Sequence, residues 1–182
     1  MSSSASFDLG APQRFTAGAV GEPGHRTFYV QGAEGAVVVT LKVEKTQVAA
    51  LAQYIAELLA DLPPVQDDDV PHEVELVEPA IAEWTVGTIG VAVDEGRDRL
   101  VVTFQEIQLA DAGDEDEPQD DDDDEDDEDV NLATFTITRP QAMAFVRRAA
   151  ELVASGRPPC TLCGRPIDPE GHVCIKTNGH LH

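Results

Sequence analysis

Positive charge is what this sequence lacks. Its 182 residues hold 12 Lys and Arg against 35 Asp and Glu, a formal net charge of −23. Phosphate binding needs clustered Lys and Arg, so DNA and RNA are excluded as partners. An anionic membrane surface is excluded for the same reason. No apolar run approaches the ~18 residues of a transmembrane helix. Met1 to Leu9 has neither the basic residues nor the apolar stretch of a secretory signal. Cysteine is scarce as well. The three cysteines all lie between positions 160 and 174 and make no disulfide framework. The expectation is a soluble cytoplasmic protein. At 42% apolar residues it has enough to pack a core, as one ordinary domain or two very small ones.

The acidic charge is concentrated. Asp111 to Asp129 holds 15 acidic residues and no basic one, with an unbroken run from Asp120. Asp61 to Glu83 holds 8 more, again without Lys or Arg. The remaining 12 acids balance the 12 bases, so the rest of the chain is formally neutral. A block of like charge repels itself and buries nothing, which predicts disorder over 111–129. Its simplest role is to solvate. A nucleic-acid decoy, a tether for a basic partner and weak divalent-cation binding are the alternatives. Pro63, Pro64, Pro71 and Pro79 mark residues 63–80 as an acidic, Pro-rich linker.

The sequence repeats itself. Phe15-Thr-Ala-Gly-Ala-Val-Gly21 matches Trp84-Thr-Val-Gly-Thr-Ile-Gly90. Leu41 to Leu59 matches Phe135 to Val153 at a constant offset, with Gln47 meeting Gln141. Val48, Leu51, Ala52, Ile55, Leu58 and Leu59 fall on Ala142, Phe145, Val146, Ala149, Leu152 and Val153. That spacing is an amphipathic helix written twice. Strand-like runs precede each helix, over Arg14 to Val20, Arg26 to Gln31 and Ala36 to Val43, then Ile81 to Val93, Arg99 to Leu109 and Val130 to Thr138. Turns are expected at Glu22-Pro-Gly24 and Asp94-Glu-Gly96. Thr138 suits an N-cap and Pro140 a first helical turn.

These signals predict an α+β fold of internally duplicated β-β-β-α units. Their antiparallel sheets share one core, with the helices on one side. Residues 1–62 form the first unit, 63–80 the linker, and 81–156 the second unit with the acidic insertion in a hairpin loop. Residues 157–182 form a small zinc-knuckle-like tail. Phe15 and Trp84 are expected in the core at equivalent positions, with ligand stacking as the rival role for Trp84. How the two sheets join is left open.

The tail carries the clearest chemistry. Cys160-x-x-Cys163-Gly164 offers two thiolates to one ion, and the glycine lets backbone amides turn toward the sulfurs. Cys174 adds a third thiolate and His172 completes a tetrahedral Cys3His zinc site, with His180 and His182 as competitors for the fourth place. Such a site has no open position for a reacting water, so its role is structural. Free thiols and a redox pair are the rivals, but Pro166 and Pro169 work against the helix that a redox pair opens.

Catalytic signatures are missing. There is no dinucleotide fingerprint, no phosphate loop and no Gly-x-Ser-x-Gly. After Ser6 the only serine is Ser155. No catalytic or cofactor-binding residue is therefore assigned, although an Asp or Glu pair assembled by the fold stays open. Arg14 and Arg26 lie on adjacent expected strands, where they could meet as an anion contact or as a surface pair.

Phe7-Asp8, then Arg14-Phe15-x-Ala-Gly18-x-Val-Gly21-Glu-Pro-Gly24-x-Arg26-Thr-Phe28-Tyr-Val-Gln31, then Glu44-Lys45-x-Gln47-Val48, resemble the actinobacterial DUF3090 family. The ending Cys160-x-x-Cys163-Gly-x-Pro166-x-Asp-Pro169-x-Gly-His172-x-Cys174-x-x-x-Asn178-Gly179 is similar to that family's own. The family's function is unknown, so the resemblance implies a bacterial cytoplasmic origin and no catalytic residues. It also implies protein partners among the kinase-like and histidine-phosphatase-like proteins of a shared pathway. The functional expectation is a zinc-stabilised binding or adaptor protein. The alternative is an enzyme or small-ligand-binding protein with its pocket between the two repeats.

Overall fold

A computed structural model describes residues 6–22, 24–108, 130–155, 161–163 and 176. Within them the chain runs β1 (Phe7–Leu9), β2 (Arg14–Val20), β3 (Thr27–Glu34), β4 (Val37–Val43) and α1 (Lys45–Ala60). A 3-10 turn at Asp67–Asp69 follows. Then come β5 (Val86–Asp94), β6 (Arg99–Glu106), β7 (Leu132–Thr138) and α2 (Arg139–Ala154). The first half is four strands and the second three, each followed by a helix. The expected strands all form, with ends shifted by a few residues. The acidic insertion at 111–129 and nearly all of the tail lie outside the described residues.

The strands make two sheets, in the orders β2-β3-β4 and β1-β7-β6-β5. Every second residue of β6 and β7 is buried: Leu100, Val102 and Phe104, then Ala133, Phe135 and Ile137. That alternation is the pleat turning one face inward. Helix stripes supply Val48, Leu51, Ile55 and Leu59 from α1, and Ala142, Phe145, Ala149 and Leu152 from α2. All of these join one apolar cluster that spans both halves. Phe15, Phe135 and Phe145 meet at its centre, with ring centroids 5.1 and 5.4 Å from Phe15.

The sheets meet edge to edge at one point. Lys42 and Thr85 form a parallel bridge, where Lys42 N donates to Trp84 O at 3.0 Å and Glu83 N to Thr40 O at 2.9 Å. The expectation of wholly antiparallel sheets needs correction. β1 runs parallel to β7, pairing Leu9 with Phe135. Gly32 makes room there, since a Cβ on it would stand 2.3 Å from the Phe135 ring and 3.4 Å from Leu9 Cδ2.

Register corrects a second expectation. Phe15 and Trp84 are both in the core, but they are not at matching positions. If Leu41 is matched with Phe135, strand pairing carries Val30 onto Val102 and Ala17 onto Val91. Phe15 then matches Ile89, and Arg14 matches Thr88. Trp84 lies before β5, in the segment that bridges to β4. The Thr-x-Gly likeness aligned the two stretches by composition, five residues out of step with the ladder.

Residues 63–80 run between α1 and β5 and are fastened along the way. Val74 O accepts from Thr16 Oγ1. Gln31 grips Val77 from both sides, with Nε2 donating to its carbonyl at 3.1 Å and Oε1 accepting from its N–H at 2.7 Å. Leu76 sits on Gly18, where a Cβ would lie 2.3 Å from Leu76 Cγ. The acidic strap thus covers the outer face of β2 and β3.

Candidate functional site

Three of the four expected zinc ligands, Cys160, His172 and Cys174, lie outside the described residues. Cys163 is described, half-buried in the turn 161–163. Among the described residues no group of three or more His, Cys, Asp or Glu side chains is placed to hold a metal ion.

The two arginines do not meet. Antiparallel pairing sets Arg14 opposite Ala33, at the other end of the hairpin from Arg26. Arg14 instead bonds Glu75 O at 3.0 Å and Glu73 at 3.2 Å. Arg26 donates to Ser155 Oγ at 2.9 Å. A polar hollow near Gly18 gathers Glu75, Glu78 and Arg148. Arg148 pairs with Glu151 at 3.4 Å, and the two other charged residues of the hollow are acidic, which disfavours an anion.

An open apolar groove lies between the helix of the first half and the first strand of the second. A groove of about 520 Å³ is walled by Gln47, Ala50, Leu51 and Tyr54 of α1 and by Ile89 and Val91 of β5. Its position follows from how the helices start. Gln47 Oε1 accepts from the Glu44 N–H at 2.8 Å, closing the first turn. Its Nε2 donates to Val86 O and Gly87 O, both at 3.2 Å, which lays α1 beside β5. α2 begins in the same way. Gln141 Oε1 accepts from Thr138 N at 2.8 Å, and its Nε2 donates to Pro12 O at 2.6 Å. Thus α2 lies on β2 of the other half.

The two junctions are filled differently. Between α2 and β2, Phe145 and Phe15 press together. The matching residues between α1 and β5 are Leu51 and Ile89. Two branched aliphatic side chains stand where the other junction has two rings, and α1 packs less closely on β5 than α2 does on β2, which leaves the groove between them. Arg148 on α2 matches Tyr54, which stands 48% exposed at the groove's rim.

One long side of the groove is a strand edge. Among the described residues β5 is the end strand of its sheet, with β6 as its neighbour on one side and only the Lys42–Thr85 bridge before it on the other. From Val86 to Val93 it carries no charge and no proline. Thr88, Gly90 and Ala92 are exposed. Unprotected edges of this kind are ones that proteins usually blunt. Sequence reasoning matched Gln47 with Gln141 but gave neither a role, placed Ile89 and Gly90 only in the Thr-x-Gly repeat, and passed over Ala50 and Tyr54. The available signal was Tyr54, an aromatic residue outside the apolar stripe of α1.

No helix among the described residues is long and apolar enough to cross a membrane. No curated protein and no solved structure matches the chain. The family profile of DUF3090, described as a protein of unknown function, matches residues 7–174. With nearly its whole length matched, the chain belongs to the DUF3090 family.

Proposed function

We propose that this chain is a cytoplasmic binding or adaptor protein that holds a partner protein, with a structural zinc in its C-terminal tail. The observation that carries the binding reading is the groove between α1 and β5, open where Phe15 and Phe145 fill the matching place. Its walls are apolar apart from the Gln47 amide and the Tyr54 hydroxyl, which suits burial of a partner's side chain better than acid-base chemistry. The same matching supports an internal duplication, since both N-terminal glutamines cap their own helix and grip the other half.

Kinase-like and histidine-phosphatase-like proteins of the same pathway are the partners of choice. Co-purification from the native host tests this, using tagged full-length protein at native expression. Recovery of either class supports the reading, and recovery of neither removes that partner choice. The zinc rests on Cys160, Cys163, His172 and Cys174, a donor set whose thiolates and imidazole favour zinc.

A small-ligand-binding protein is the second reading. The groove is walled by α1 of one half and β5 of the other, and that position supports this reading. Thermal-shift screening with apolar and aromatic small molecules tests it. Stabilisation that is lost in an Ala50→Arg variant would favour a ligand over a protein partner.

A further inference from the structure

We infer that the groove between α1 and β5 receives an extended segment of a partner protein, anchored by one aromatic side chain and flanked by Lys or Arg. This rests on the binding reading above and specifies the chemistry of the partner.

The aromatic anchor follows from the filled junction. Phe15 and Phe145, with centroids 5.1 Å apart, close the matching junction, whereas the groove stays open beside Leu51 and Ile89. A ring supplied from outside would restore the packing that the first junction has internally.

The extended conformation follows from β5. Its edge is neutral from Val86 to Val93, and its ladder is unpaired on the groove side beyond the Thr85 bridge among the described residues. A Cβ built on Gly90 meets nothing within 4 Å, so another backbone can come close there. Addition of a strand to such an edge gives main-chain hydrogen bonds, while the groove takes one side chain and supplies selectivity.

The basic flanks follow from charge. The helical stripe Gln47, Ala50, Leu51, Tyr54 continues through Glu57 and Asp61. Both are exposed, and neither forms an ion pair among the described residues. The excess negative charge, which lies in 61–83 and 111–129 rather than along the groove, draws a basic segment toward the molecule at long range.

The test uses the full-length protein and a fluorescein-labelled nonapeptide. The peptide has a central phenylalanine, alternating valine and threonine beside it, and two lysines at each end. Fluorescence anisotropy should report saturable binding at 150 mM salt. Replacing the peptide's phenylalanine by alanine should weaken it by about tenfold or more, as should Ala50→Arg in the protein. Ala50 is exposed, so that variant should melt with the wild type. Leu51→Phe/Ile89→Phe, which rebuilds the filled junction, should also abolish binding.

Absence of binding would overturn the inference. So would binding unchanged by Ala50→Arg or by the alanine peptide, which assigns the signal to acidic segments elsewhere. A dimer that Ala50→Arg dissociates, seen by light scattering, would assign the groove to a second copy and overturn it too. A native partner retained equally by wild type and Ala50→Arg would sink this inference while leaving the adaptor function intact. Failure to recover any partner would instead count against the adaptor function.

Discussion

Gln47 and Gln141 do the same work on opposite sides of the molecule. Each closes the first turn of its own helix and donates to a carbonyl of the other half, Val86 O or Pro12 O. Those carbonyls precede by two residues Thr88 and Arg14, which strand register makes equivalent. The two bonds differ in their surroundings. Gln141 and Pro12 are both buried, whereas Gln47 is half-buried beside exposed Gly87.

That difference sets the size of the effect. Gln141→Ala removes a cap and leaves a buried carbonyl without a donor, so it should cost about 2–3 kcal/mol. Gln47→Ala leaves its carbonyls within reach of water and should cost about 1 kcal/mol. Urea denaturation of the two variants checks the order. Equal losses would mean that burial does not separate the two caps.

Two glycines should respond in opposite senses. Gly32 faces the Phe135 ring, and an added Cβ would lie 2.3 Å from it. The ring is fully buried between Phe15 and Phe104 and has no room to retreat. Gly32→Ala should therefore cost about 1–3 kcal/mol through overpacking. Gly90 faces open space, and its backbone needs no positive φ. Gly90→Ala should be neutral or stabilise by up to about 1 kcal/mol, by narrowing the unfolded ensemble. Thermal melts of both variants decide the matter, and a destabilised Gly90→Ala would mean that the edge of β5 is covered.

The helices were legible because their apolar spacing is local: Val48, Leu51, Ile55 and Leu59 lie at 3.6-residue intervals and became the buried face of α1. The sheet register was not. Phe7-Asp8-Leu9 is too short to signal a strand, and its partner β7 lies on the far side of the sequence, so β1 emerges only from tertiary packing. The match of Phe15 to Trp84 failed for a related reason. It compared residue types along the chain, whereas equivalence is fixed by hydrogen bonding across it. The groove depends on that register. Only once Phe15 is set against Ile89, and Phe145 against Leu51, does the sequence show two rings exchanged for two aliphatic side chains.

Gln31 is the polar residue most deeply committed to the core face of the strap. It is fully buried, donates to Thr40 Oγ1 at 2.9 Å, and holds Val77 by both its N–H and its carbonyl. Gln31→Leu preserves volume but removes all three bonds. We expect a loss of about 2–3 kcal/mol, since Val77 keeps partial access to water. The strap should also loosen locally before the sheets do. Limited proteolysis followed by mass spectrometry should find faster cleavage between residues 63 and 80, and an unchanged cleavage rate would show that the strap is held by Leu76 on Gly18 instead.

The tail can be tested without reference to the groove. In the proposed zinc site Cys160, Cys163 and Cys174 would bind as thiolates and His172 as neutral imidazole. Protons compete for all four ligands, so affinity falls as pH is lowered. Purified full-length protein should contain about one zinc per chain by elemental analysis. A Cys160→Ser/Cys163→Ser variant removes two of the three thiolates and should retain none. His172→Ala alone separates the ligand sets: full loss of tight binding assigns the fourth position to His172, and near-wild-type affinity assigns it to His180 or His182. Because none of the proposed zinc ligands belongs to the described strands or helices, the double variant should keep the wild-type far-ultraviolet spectrum of the two sheets and helices. Native protein prepared without chelator and found free of metal would remove the zinc proposal.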